Sequence, residues 1–75
     1  MKNFIIDTLT SGKQEIINAL GALETVSRSE DGGEYRMDKD YSQVWITSSL
    51  TGKELENFLD KNGLSYTGVI EASLD

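Results

Sequence analysis

Gln43-Val44-Trp45-Ile46-Thr47-Ser48-Ser49-Leu50-Thr51-Gly52-Lys53-Glu54-Leu55-Glu56-Asn57-Phe58-Leu59 changes its periodicity halfway along. Val44, Trp45, Ile46 and Thr47 are β-branched or aromatic, the types that suit a pleated, half-buried strand. Thr51 and Glu54 stand in capping-box spacing, in which each side chain satisfies the other residue's free backbone N–H. Behind them Leu55, Phe58 and Leu59 recur at helical spacing, and Asn62-Gly63 supplies a left-handed stop. The stretch predicts a strand feeding a capped amphipathic helix.

A second copy of this plan stands earlier in the chain. Phe4, Ile5 and Ile6 read as a strand. Thr10-Ser11-Gly12 ends it and opens a helix, with Ser11 and Gln14 in capping-box spacing. Ile16, Ile17, Leu20 and Leu23 form the apolar stripe of that helix, with Lys13, Gln14 and Asn18 on the wet side. Gly21 weakens its last turn by about 1 kcal/mol relative to alanine, so fraying is expected unless a neighbour packs closely. Leu9-Thr10-Ser11-Gly12-Lys13 and Leu50-Thr51-Gly52-Lys53 differ by one inserted residue.

Between the halves, Glu24 to Ser29 alternates as an exposed or edge strand. Glu24 to Asp38 reads either as one bent strand with a bulge at Asp31-Gly32-Gly33 or as an added hairpin of two short strands. Tyr35 and Met37 alternate with Arg36 and Asp38, and Lys39-Asp40-Tyr41-Ser42 reads as the next turn. Tyr66 to Ile70 is the closing strand, and Glu71 to Asp75 a loose tail. Two strand–helix–strand units in 75 residues predict an α+β fold of one domain, residues 1–75. The expected architecture is the ferredoxin-like βαββαβ sandwich, two helices on one face of an antiparallel sheet.

Composition excludes more functions than it suggests. The chain has no Cys and no His, which removes thiolate chemistry, the commonest general base and the commonest transition-metal ligand. No cofactor is implied, and the reading is non-enzymatic. The formal charge of −6 disfavours direct nucleic-acid binding and docking on an anionic membrane, and favours a basic partner protein. The opening Met1-Lys2-Asn3-Phe4-Ile5-Ile6 reaches Asp7 after three apolar residues. That is too short for a signal-peptide core or a membrane span, so a cytoplasmic address is expected.

The pattern resembles the heavy-metal-associated domain of copper chaperones. The likeness lies in Phe4 to Leu9, in Ile16, Ala19, Leu20 and Leu23, and in Glu34 to Asp38 followed by Val44, Trp45, Ile46, Leu55, Phe58, Leu59 and Asn62-Gly63. That family's methionine-x-cysteine-x-x-cysteine motif is missing. Its two thiols align with Leu9 and Gly12, or with Ser11 and Gln14, and neither pair offers a soft ligand for copper(I). The resemblance therefore implies the fold and no metal site.

Gly12-Lys13 and Gly52-Lys53 lack the earlier glycine and the following hydroxyl of a phosphate loop. Asp38, Asp40 and Ser42 imitate the first calcium ligands of an EF-hand, but Gln43 replaces its glycine and Ser49 its bidentate glutamate. The remaining candidates are contact residues. Glu30, Asp31, Glu34, Asp38 and Asp40 form an acidic hairpin, either a charged guard against edge-to-edge aggregation or a lure for a basic groove. If Val44 and Ile46 face the helices, Trp45 faces the open side of the sheet, where Tyr35 and Tyr41 join it. Exposed aromatics of this kind anchor protein contacts, though small cores also use them as filling. The expected function is a small acidic protein–protein interaction module. The alternatives are an acidic inhibitor, of the kind mobile elements encode, that occupies the cationic groove of a nucleic-acid enzyme, and a metal or small-ligand carrier of the copper-chaperone fold.

Overall fold

The computed structural model describes residues 1–35 and 38–72, together with their side chains except that of Tyr35. The elements run β1 (Lys2–Leu9), a single 3₁₀ turn (Thr10–Gly12), α1 (Lys13–Gly21), β2 (Val26–Tyr35), β3 (Asp38–Ser48), α2 (Gly52–Lys61) and β4 (Gly68–Ala72). The four strands make one sheet in the order β2-β3-β1-β4, and every neighbouring pair is antiparallel. This is the expected α+β class.

Alternation along the central strands sorts side chains onto two unlike faces. Phe4 and Ile6 of β1 and Val44 and Ile46 of β3 are buried with Ile16 and Leu20 of α1 and Leu55 and Leu59 of α2 in one cluster. Both helices thus bury their apolar stripes against the same side of the sheet. Ile5, Asp7 and Leu9 of β1, and Gln43, Trp45 and Thr47 of β3, point the other way.

The two helices begin differently. At α2, the Thr51 hydroxyl accepts from the Glu54 N–H (3.2 Å) while the Thr51 N–H donates to the Glu54 carboxylate (3.0 Å), which is the capping box expected there. It ends with Gly63 at φ 66°. The Leu64 N–H donates to the Leu59 carbonyl and the Gly63 N–H to that of Asp60, closing a Schellman motif. At α1 the expected box is absent. Gly12 is the N-cap with no side-chain bond, because the 3₁₀ turn carries Ser11 out to solvent, and Gln14 instead donates to Asn18 along the helix (2.9 Å). Gly21 ends α1 with an added Cβ only 3.7 Å from that of Ser29, and the Ser29 hydroxyl donates to the Ile17 carbonyl (2.8 Å). A neighbour does pack closely there.

Of the two readings open for Glu24 to Asp38 the bulged single strand holds, and two other boundaries depart from expectation. Residues 26–35 form one strand, with its register jumping from Asp31 opposite Val44 to Gly33 opposite Gln43. Gly32 is the extra residue of a bulge, and Gly33 takes φ 95° to complete it. Asp31-Gly32-Gly33 is therefore a bulge and no turn. Lys39-Asp40-Tyr41-Ser42, expected as a turn, lies inside β3, because Ser42 and Tyr41 pair with Thr8 and Leu9 of β1. The closing strand begins at Gly68, not Tyr66, and Glu71 and Ala72 belong to it through pairing with Phe4 and Asn3. Tyr66 instead ties the preceding loop to α2, its hydroxyl donating to Asp60 (3.0 Å). Arg36, Met37 and Ser73 to Asp75 lie outside the described residues.

Candidate functional site

Strand register places the helix-free face row by row. Ile70, Ile5 and Trp45 stand side by side on β4, β1 and β3, with Glu30 next on β2. The following row along β1 holds Asp7 opposite Gln43, and the one after it Leu9 opposite Tyr41. In the other direction Asn3 faces Thr47 and Ala72, and Arg28 faces Thr47 from β2. Leu9, Trp45 and Ile70 are 42%, 39% and 54% exposed. Met1 is the other large hydrophobic left open among the described residues, so apolar exposure is concentrated on this face.

Trp45 owes its position to the bulge. Its indole lies against Gly32, where any Cβ would collide with the ring, and its N–H reaches the Gln43 side-chain oxygen at 3.4 Å. The ring forms one wall of a groove of about 180 Å³ lined also by Asn3, Ile5, Arg28 and Ala72. Arg28 is only loosely engaged, 3.4 Å from the Asn3 side-chain oxygen and 3.7 Å from the Glu30 carboxylate. Its Nε is enclosed without a hydrogen-bond acceptor. The Asp7 Oδ1 is likewise enclosed without a donor.

At the end of the sheet a second, wider concavity of about 590 Å³ separates the turn after β1 from the β2–β3 hairpin. Leu9 and Tyr41 give it an apolar side; Glu34, Asp40 and Lys39 give it charge. The turn is fastened to β3 across this end. Thr10 Oγ1 donates to the Lys39 carbonyl (2.7 Å), and because a hydroxyl has one proton, Ser42 donates in turn to Thr10 (2.7 Å).

The acidic candidates separate into three places. Glu34, Asp38 and Asp40 are exposed at the hairpin, where the Asp38 carboxylate accepts the Asp40 N–H (3.0 Å). Ser42 is buried and bonded to Thr10, so it does not converge with Asp38 and Asp40 as a calcium ligand would. Glu30 lies on the helix-free face beside Arg28. Asp31 points to the helix side, where it meets Lys13 at 2.9 Å and accepts the Gly33 N–H at 2.7 Å. The Lys13 bond, then that of Gly33, hold its carboxyl below the usual range. Lys13, expected on the wet side of α1, is drawn in by this pair and its side chain is 18% exposed. Trp45 is on the open face as expected, and Tyr41 stands half-buried beside Leu9 on the same face. The side chain of Tyr35 lies outside the described ones.

Sequence reasoning missed Ile5, Leu9 and Ile70 as members of this face. The signal was present in β1: once Phe4 and Ile6 are assigned inward, Ile5 must point outward. Reading Phe4-Ile5-Ile6 as one continuous apolar run hid it. Among the described residues no cluster of three or more acidic side chains is placed to hold a metal ion, and no helix is long and apolar enough to cross a membrane. In comparison with known proteins, the chain matches no family model and no curated sequence.

Proposed function

We propose that this chain is a non-enzymatic, ferredoxin-like protein-binding module that docks through its helix-free sheet face. The observation that carries the reading is the concentration of exposed Leu9, Trp45 and Ile70 on one side of the sheet. Leaving such side chains in water forgoes about 25 cal/mol for each Å² of apolar surface, a term recovered when a partner covers them. Large aromatic anchors beside a groove are the usual centres of binding energy at protein interfaces. The antiparallel four-stranded sheet with both helices on one side supports the ferredoxin-like part of the reading, and the copper-chaperone metal function is no part of it.

The exposed acids of the hairpin, Glu34, Asp38 and Asp40, support a second reading. In it the protein is an acidic inhibitor whose hairpin enters a cationic groove of a nucleic-acid enzyme. The two readings place the decisive contacts on different residues. Affinity capture with the unaltered chain, a Trp45→Ala/Ile70→Ser variant and a Glu34→Gln/Asp40→Asn variant separates them, with folding checked by circular dichroism. The first reading expects the sheet-face variant to lose its partners and the hairpin variant to keep them. Retention of every partner by the folded sheet-face variant would sink it.

A further inference from the structure

The geometry points to the occupant of this face: an extended, basic segment of another protein, carrying lysine or arginine between two apolar residues at alternate positions. This inference rests on the docking-face reading and adds the chemistry of the partner.

Spacing is the first argument. Ile5, Asp7 and Leu9 follow one another on the outward side of β1, paired with Trp45, Gln43 and Tyr41 of β3. Alternate residues of a strand repeat at about 6.6 Å. An extended peptide lying along β1 presents its own alternate side chains at that same repeat. Its apolar residues then meet the groove beside Trp45 at one end and the Leu9–Tyr41 concavity at the other. The residue between them falls over Asp7.

Charge is the second argument. Asp7, half-buried at the middle of the strip, has no ion-pair partner among the described residues, and an ammonium or guanidinium would supply one. Glu30 flanks the strip at Trp45, and Glu34 and Asp40 line the end concavity with Tyr41. Two cations stand against these acids, Arg28 loosely held beside Glu30 and Asn3 and Lys39 in the lining of the far concavity, so acids outnumber bases on the strip. With the net charge of −6, the strip attracts a cation and repels a carboxylate. A second copy of the chain would bring the same acids against one another, and a nucleic-acid strand would bring phosphates.

The test uses the full ¹⁵N-labelled chain and three synthetic peptides, acetyl-Thr-Leu-Thr-X-Thr-Leu-Thr-amide with X as lysine, norleucine or glutamate. The lysine peptide is expected to shift the amides of Ile5, Asp7 and Leu9 and the Trp45 indole N–H. It should bind about tenfold more tightly than the norleucine peptide, as one semi-exposed charge pair of about 1.4 kcal/mol allows. Asp7→Asn and added salt should each erase that tenfold preference while apolar binding persists. Equal binding of all three peptides on these residues overturns the basic occupant and leaves the docking face standing. Absence of shifts on this face with every peptide overturns both. A dimer of the free chain burying these residues in sedimentation, or their perturbation by oligothymidylate but not by peptide, overturns it in favour of another occupant.

Discussion

Leu9-Thr10-Ser11-Gly12-Lys13 and Leu50-Thr51-Gly52-Lys53 use nearly the same letters to turn a strand into a helix, yet different forces hold them. The second junction is self-sufficient: Thr51 and Glu54 satisfy each other's backbone within three residues. The first has no side-chain cap and depends on distant partners. Thr10 is fastened to Lys39 and Ser42, Lys13 to Asp31, and Thr8 donates to the Ser65 carbonyl (2.7 Å). The inserted Ser11 makes the difference. It lengthens the turn into a 3₁₀ segment, moves Thr10 away from the helix N-terminus, and frees its hydroxyl to reach β3. A local rule therefore predicts one junction and fails at the other, where tertiary contacts have replaced the cap.

The sharpest way to break that contrast is Ser42→Ala. It removes the donor to Thr10, whose own bond to the Lys39 carbonyl remains, and should cost about 1.5 kcal/mol in urea denaturation. Thr51→Ala removes the cap at the other junction and should cost about 1 kcal/mol, with the loss localised to the first turn of α2 in amide exchange. Lys13→Met tests the ion pair and has a pH signature. The depressed Asp31 carboxyl contributes stability above the ordinary carboxylate value, lost as pH falls through its lowered folded value. Removing Lys13 should raise the Asp31 titration seen by NMR toward the ordinary range. The stability difference from the unaltered chain should then shrink below that range. Ser11→Ala should be nearly silent, within about 0.5 kcal/mol, because the Ser11 side chain caps nothing. A large loss from Ser11→Ala, or none from Thr51→Ala, would reverse the assignment of the two junctions.

Much of the fold could be read from local signals because local physics specifies it. The box at Thr51, the stripe of Leu55 and Leu59 and the stop at Gly63 all involve residues within a few positions of each other. The halves of β1 and β3 that feed the core follow from their apolar character. What could not be read depends on pairing across the sheet. Lys39 to Ser42 look like a turn until β1 supplies partners. Asp31-Gly32-Gly33 leaves a bulge and a turn both open by composition, and β3 running alongside decides for the bulge. Tyr66 has strand character, yet Asp60 claims its hydroxyl and the strand starts two residues later. Of the candidate site, alternation puts Trp45 on the open face once Val44 and Ile46 are known to face the helices. Ile5 and Leu9 follow by alternation from Phe4 and Ile6, Ile70 needed the strand order, and Asp31 needed the position of α1 to show that it belongs to the other side.

Gly32 beneath the indole ring turns the chain's one tryptophan into a natural gauge of its own edge strand. Peeling of β2 from β3 would expose the underside of the ring, whereas a visitor settling on the groove would shield its outer rim. The two events should therefore move the emission in opposite directions, red for the first and blue for the second. Opening of the outermost ribbon and arrival of a guest can thus be told apart by light, without a label.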